Sequence, residues 1–186
     1  MITRDQTLSL VNKYVQTNNS IKHMLATEAI MRSLAKHFNE DEEVWGLSGL
    51  LHDLDMEIVD YHLDPALHGV KTVEILKSED IPQIVFDAIL AHNEATGKSR
   101  NELIEKCIYS TDPITGLIVA SALIRPERNL ASLEVKSILK KFKNKQFAAG
   151  ANRDIIMSCS EFKMELDDFI ALSLKAMQSI SDDLGL

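Results

Sequence analysis

Cysteine is scarce here. Cys107 and Cys159 are the only two in 186 residues, and both sit in helical patterns without metal-type spacing. A disulfide framework and a thiolate zinc knot are therefore excluded, and the two thiols read as reduced packing residues of a cytosolic chain. Long apolar runs are also missing: no window approaches the roughly 18 uninterrupted apolar residues of a membrane span. The opening Met1-Ile-Thr-Arg-Asp-Gln6 has no apolar core of a signal peptide. These absences predict a cytoplasmic protein with no membrane partner. Basic charge is short as well, because 20 Lys and Arg face 28 Asp and Glu for a net charge of -8. That balance argues against a nucleic-acid polymer as partner, since duplex binding rests on clustered cations that neutralise phosphates. Small anionic substrates remain open, because a buried metal cluster supplies local positive charge.

There is no convincing strand alternation, internal repeat, linker or low-complexity tract, and almost every segment carries the 3.6-residue helical period. With 45% apolar and 26% charged residues, the 186-residue chain suits one domain with a sizeable core. The expectation is an all-α, single-domain bundle of about eight or nine helices spanning residues 1–186. Asp5 is the expected cap of the first helix, through Val15. A second helix buries Met24, Thr27, Met31, Leu34 and Phe38 as one stripe, with His23 in its first turn. A third opens in the acidic run 39–43 and carries His52 and Asp53. Asp64-Pro65 reads as N-cap and first residue of a fourth helix reaching Leu76, with His68 in its opening turn and Lys71 one turn further. A fifth, from Ile81-Pro82, projects His92 from its inner face. Ser99 or Asn101 caps a sixth, which Pro113 is expected to kink or break. Three more helices, at about 132–143, 152–161 and 165–183, complete the pattern. Lys136, Lys140, Lys141, Lys143 and Lys145 give the first of them a basic side, read as a solvated face or an anion-steering surface.

The chemistry centres on Gly46-Leu-Ser-Gly-Leu-Leu-His-Asp-Leu-Asp55. Trp45, Ser48, Gly46 and Gly49 lie beneath His52 and Asp53 on a helix, so small residues are expected to leave room under both. Burying an imidazole beside an ionised carboxylate costs roughly several kcal/mol unless a divalent cation compensates both. His23, His52, Asp53, His68, His92 and Asp112 fall on five successive predicted helices, each at an inner-face or end position. Imidazole and carboxylate without thiolate suit Fe, Mn, Co, Ni or Zn, with Mg a further candidate. Six such residues are more than one ion with an open position needs, and match two ions sharing a carboxylate.

This ordered set resembles the HD-domain metal-dependent phosphohydrolases, named for an adjacent His-Asp. The resemblance covers roughly residues 20–125, leaving the helices of 126–186 to pack on that core. In detail it lies closest to a small bacterial branch of predicted HD hydrolases, through His-Met-Leu-Ala at 23–26, Leu-Leu-His-Asp-Leu-Asp at 50–55, His-Gly at 68–69 and Ala-His-Asn-Glu at 91–94. It implies that His23, His52, Asp53 and Asp112 surround one ion, that His68 and His92 add a second, and that Asp53 bridges them as the catalytic carboxylate. It further implies hydrolysis of a phosphate ester or anhydride in a nucleotide-like substrate, a dinucleoside polyphosphate being one candidate. Lys71 and Arg125 are candidate phosphate contacts, and Asn93 and Glu94 could orient water or an imidazole, or cap a turn. Departures narrow the subfamily: no Gly-Tyr-Pro follows His92, Leu54-Asp55-Met56-Glu57 stands where guanosine tetraphosphate hydrolases carry Glu-Asp, and Thr111 and Pro113 flank the distal Asp. The alternatives are a metal-containing nucleotide sensor module and a di-iron oxygenase on the same fold.

Overall fold

Helix α1 (Arg4–Tyr14) starts where Thr3 Oγ1 accepts the Gln6 N–H at 3.2 Å and Gln6 Oε1 accepts the Thr3 N–H at 2.8 Å. This reciprocal box satisfies two otherwise orphaned donors, and it displaces Asp5 as the cap. A computed structural model describes the whole chain, residues 1–186, and every regular element in it is helical. Helix α2 (Asn18–Phe38) stops at Asn39, which takes the left-handed conformation at φ 58°. Asp41 caps α3 (Glu42–Leu51) by accepting the N–H groups of Glu43 and Val44.

The two glycines of α3 serve helix packing. A Cβ on Gly49 would come within 2.9 Å of the Glu28 backbone, and one on Gly46 would overlap the Arg32 side chain. The expected room beneath His52 and Asp53 is thus taken up by the close approach of α2 and α3. Between these helices Glu28 is buried, and accepts from Arg4 at 2.7 and 2.9 Å and from Arg32 at 2.9 Å. Two guanidiniums compensate one buried carboxylate and tie α1 to the α2–α3 pair.

The single helix expected from Asp64 to Leu76 is two pieces, a 3-10 turn at Pro65–Leu67 and α4 (Val70–Leu76). Gly69 separates them at φ 86°, a conformation that only glycine adopts without strain, and this break turns His68 inward. Helix α5 (Gln83–Ala91) follows Pro82, and a 3-10 turn at Glu94–Thr96 is capped by Asn93. Helix α6 (Leu103–Leu123) begins where Glu105 accepts the N–H groups of Asn101 and Glu102, rather than at a Ser99 or Asn101 side chain. It runs unbroken through Pro113, against expectation. A helix-interior proline costs about 3 kcal/mol. Ile114, Leu117 and Ile118 beyond it are fully buried, each worth about 1.5–3 kcal/mol, and together they outweigh it.

The remaining helices are α7 (Val135–Phe142), α8 (Arg153–Met157) with a 3-10 extension through Phe162, α9 (Leu166–Gln178) and α10 (Ser181–Leu184). The helix expected over 165–183 is therefore divided, at Ser179–Ile180, which brings the count to ten. Arg153 is buried without a carboxylate partner; its guanidinium donates to the backbone carbonyls of Phe142, Asn144, Phe147, Ala148 and Ala151. One apolar cluster gathers α1, α3, α4 and α5 around Met24, and a larger one packs the other side of α2 against α6 to α10. The polar residues described next lie where α2, α3, α5 and α6 meet. No helix is long and apolar enough to cross a membrane.

Candidate metal centre

His52 and His92 occupy the same structural position, the residue immediately after a helix: α3 ends at Leu51 and α5 at Ala91. The last carbonyls of a helix lack intrahelical partners. Each ring Nδ1–H donates to the carbonyl three residues back, His52 to Gly49 at 2.8 Å and His92 to Ile89. That bond fixes the proton on Nδ1 and aims a bare Nε2 past the helix end. Both helices also point their negative dipole ends at this spot, where a cation is stabilised.

The other two imidazoles are oriented by side chains. His68 Nδ1 donates to Asp55 Oδ1 at 2.7 Å, while Asp55 Oδ2 accepts the N–H groups of Gly69 and Thr72 at 2.7 and 3.0 Å. Asp55 is fully buried and thereby ties the His68–Gly69 corner to the end of α3. On α6, Thr115 Oγ1 donates to the Asp112 carbonyl at 2.9 Å, so it must accept from His23 Nδ1–H, 2.8 Å away. All four rings therefore carry Nδ1 protons and turn Nε2 inward.

These Nε2 atoms meet in two pairs, His23 with His52 at 3.1 Å and His68 with His92 at 3.0 Å. Two facing lone pairs at that distance repel unless a proton or a cation lies between them. Asp53 stands between the pairs, with Oδ2 3.4 Å from His23, and Oδ1 3.4, 3.2 and 3.5 Å from His52, His68 and His92. Asp112 Oδ1 completes one side, 3.1 Å from His23 and 4.0 Å from His52. His23, His52 and Asp53 form one group able to hold a metal ion, and Asp53, His68 and His92 form another. The donor set fits a divalent ion. Cis ligands of a six-coordinate ion with bonds of about 2.1 Å stand roughly 3.0 Å apart, the spacing of both histidine pairs.

Without metal, protons take the cations' place. Burial pulls His23 down, but hydrogen bonds to Asp112 and Asp53 outweigh it and raise its pKa to about 10. His68 behaves alike: burial is overcome by Asp53 and Asp55, and it too reaches about 10. His52 is pushed down to about 4, chiefly by burial. Burial favours the neutral acid at Asp53 and Asp112, yet the neighbouring histidines hold both below the usual carboxylate range.

The centre opens into a cleft of about 770 Å³ lined by Asp53, His68, His92 and Asp112 together with Tyr61, His62, Asn93, Glu94, Tyr109 and Ile155. A smaller depression of about 340 Å³ reaches His23 and Asp112 from beside Gly150 and Ala151. The structure thus brings all six sequence-predicted ligand candidates together. Lys71 and Arg125 lie elsewhere: Lys71 pairs with Glu74 at 2.6 Å, and Arg125 meets Ser132 and Glu127 at 3.1 and 3.7 Å. Neither lines the cleft: Lys71 lies on α4 beside Glu74, and Arg125 follows the end of α6. Asn93 caps the 94–96 turn and donates from Nδ2 to the carbonyls of Pro65 and His68, so it holds the His68 segment. Sequence reasoning missed the roles of Asp55, Thr115, His62 and the two tyrosines; the available signal was an acid two residues after Asp53, just where the apolar helix ends.

An all-helical bundle presenting two histidine pairs about one aspartate defines a helical domain with the side chains to hold metal. Residues 20–145 match the HD domain family model, and the chain belongs to that family, whose members are generally metal-dependent hydrolases. The match runs past the expected limit near 125 to include α7. No solved structure gave a significant match.

Proposed function

We propose that the chain hydrolyses a phosphate ester or anhydride of a small nucleotide-like substrate, using two divalent ions. The observation that supports this best is the double histidine pair about one carboxylate, since each pair needs its own positive charge. His23, His52 and Asp112 would hold one ion, His68 and His92 the other, and Asp53 both. Bound there, the ions would lower the pKa of water and take up charge as the P–O bond breaks.

The chain's own residues set the stage for that chemistry. Gly49, Ile89, Asp55 and Thr115 hold the imidazoles in one tautomer, so that no ring has to reorient during turnover. Asp112, with a side chain 38% exposed, is the ligand candidate that reaches the open edge of the cleft. His52 and His92 are nearly inaccessible and cannot exchange protons with bulk water as readily. Elemental analysis beside phosphate release tests the reading. Wild type should retain about two metal ions per chain, His92→Ala about one and Asp53→Ala almost none, with phosphate release lost in both variants. Full metal retention by Asp53→Ala would overturn the shared role. Oxygen consumption by an iron-loaded form, without phosphate release, would favour oxygenase chemistry instead.

A further inference from the structure

The metal-facing cleft contains no lysine or arginine in its lining, although the chain has 20 of them. The nearby cations are already engaged by other groups. Lys71 is paired with Glu74, and Arg153 is spent on backbone carbonyls. Arg100 lies over the Tyr109 ring with its guanidinium carbon 3.8 Å from the centroid, and reaches Glu94 at 3.5 Å. Beyond the metal-binding residues the cleft presents mainly aromatic, apolar or acidic groups, Tyr61, Tyr109, Ile155 and Glu94, with the imidazole of His62 as its one further basic side chain. The Tyr109 hydroxyl donates to Glu94 Oε1, so its proton is unavailable to a phosphate oxygen. Asn93 offers no donor either, since its amide is bonded to the Pro65 and His68 carbonyls.

We propose that this cleft takes a monophosphate ester of an uncharged, ring-bearing alcohol, and selects against polyphosphates. The inference rests on the phosphohydrolase reading above and narrows its substrate. A single phosphoryl group can place all its charge against the metal ions. A second or third phosphate would lie beside the Glu94 carboxylate, where the one neighbouring guanidinium, Arg100, is already held against Glu94 and the Tyr109 ring. The uncharged ring of the alcohol instead finds Tyr61, which is 54% exposed and already stands edge-on to His68 at 5.6 Å. A dinucleoside polyphosphate, the sequence-based candidate, fits this charge pattern poorly.

Binding and turnover are measured separately. Metal-loaded protein is titrated calorimetrically with phenyl phosphate, glycerol phosphate, a nucleoside 5′-monophosphate and the matching triphosphate, with metal retention checked afterwards. Phosphate release is followed on the same four compounds. The monophosphates with rings should bind on the order of tenfold more tightly than the triphosphate, the factor expected of added phosphate charge beside a carboxylate whose guanidinium partner is already engaged. Glu94→Gln keeps an acceptor for Tyr109 and removes the charge, and should narrow that gap. Tyr61→Ala should weaken phenyl phosphate and leave glycerol phosphate unchanged. Tighter binding of the triphosphate, or equal binding of glycerol and phenyl phosphates, overturns the inference. Selective binding of ring-bearing monophosphates with no phosphate released from any compound overturns hydrolysis and leaves the ligand class standing.

Discussion

Loading the metal-free protein with divalent metal should release two protons per chain near pH 7.5, one from each histidine pair. The count follows from the geometry: each pair faces Nε2 to Nε2, so one proton must sit between the rings when no cation does. His23 and His68 carry those protons, since both titrate near 10 instead of 6.5 and are almost wholly protonated at neutral pH. Each ion displaces one, so its apparent affinity should rise about tenfold per pH unit between about pH 7 and 9 and level off above about 10. Calorimetric titration with Mn2+ or Co2+ in buffers of different ionisation heat reads the number directly, as the slope of observed heat against buffer heat. A slope near zero would refute the assignment of tautomers and the pairing together. The same shifts act on folding. Because the folded-state values are raised, protonated His23 and His68 stabilise the metal-free fold fully below about pH 6.5, and that contribution is lost as the pH climbs through about 10. The Tm of metal-free protein should therefore fall across this window, while metal-loaded protein, with both protons already gone, should not show the loss.

Other residues give narrower tests. Asp55→Asn removes the anionic acceptor of His68 and should weaken metal retention about 10–100-fold in a chelator competition; unchanged retention would show that the helix ends alone fix the site. Gly49→Ala would force a Cβ to within 2.9 Å of the Glu28 backbone and should destabilise the fold by about 1–3 kcal/mol in urea unfolding. A neutral effect would mean that α2 and α3 can separate freely. Lys71→Ala and Arg125→Ala, which alter side chains off the cleft, should each leave kcat/KM for phosphate release within about twofold of wild type.

The helical class was legible because apolar spacing survives in every long segment, and the clustering of the six ligand candidates because histidine is rare enough here for its placement on successive helices to stand out. What escaped the sequence were decisions made by tertiary contact. Pro113 reads as a breaker, and nothing local reveals that Ile114, Leu117 and Ile118 are buried firmly enough to carry the helix through it. Gly69 reads as one more residue of a continuous helix until its φ of 86° and the bonds to Asp55 show that it sets the direction of His68. The glycines at 46 and 49 were small for α2, not for the metal ligands. Lys71 illustrates the limit of helical-wheel reasoning: the phase depends on where the helix starts, and α4 starts at Val70 rather than at Pro65.

The five carbonyls gathered around Arg153 have a consequence for how this wall can vary. They come from residues 142–151, and the smaller approach to His23 is lined from that stretch by Ala148, Gly150 and Ala151. The guanidinium grips only main-chain oxygens, while Phe142, Phe147, Ala148 and Ala151 pack on the core, so the course of the segment is held from both sides. At Gly150, where an added Cβ would meet nothing, replacement would then reshape the entrance while the path stayed fixed, which makes this one position an interchangeable faceplate on a constant hinge post.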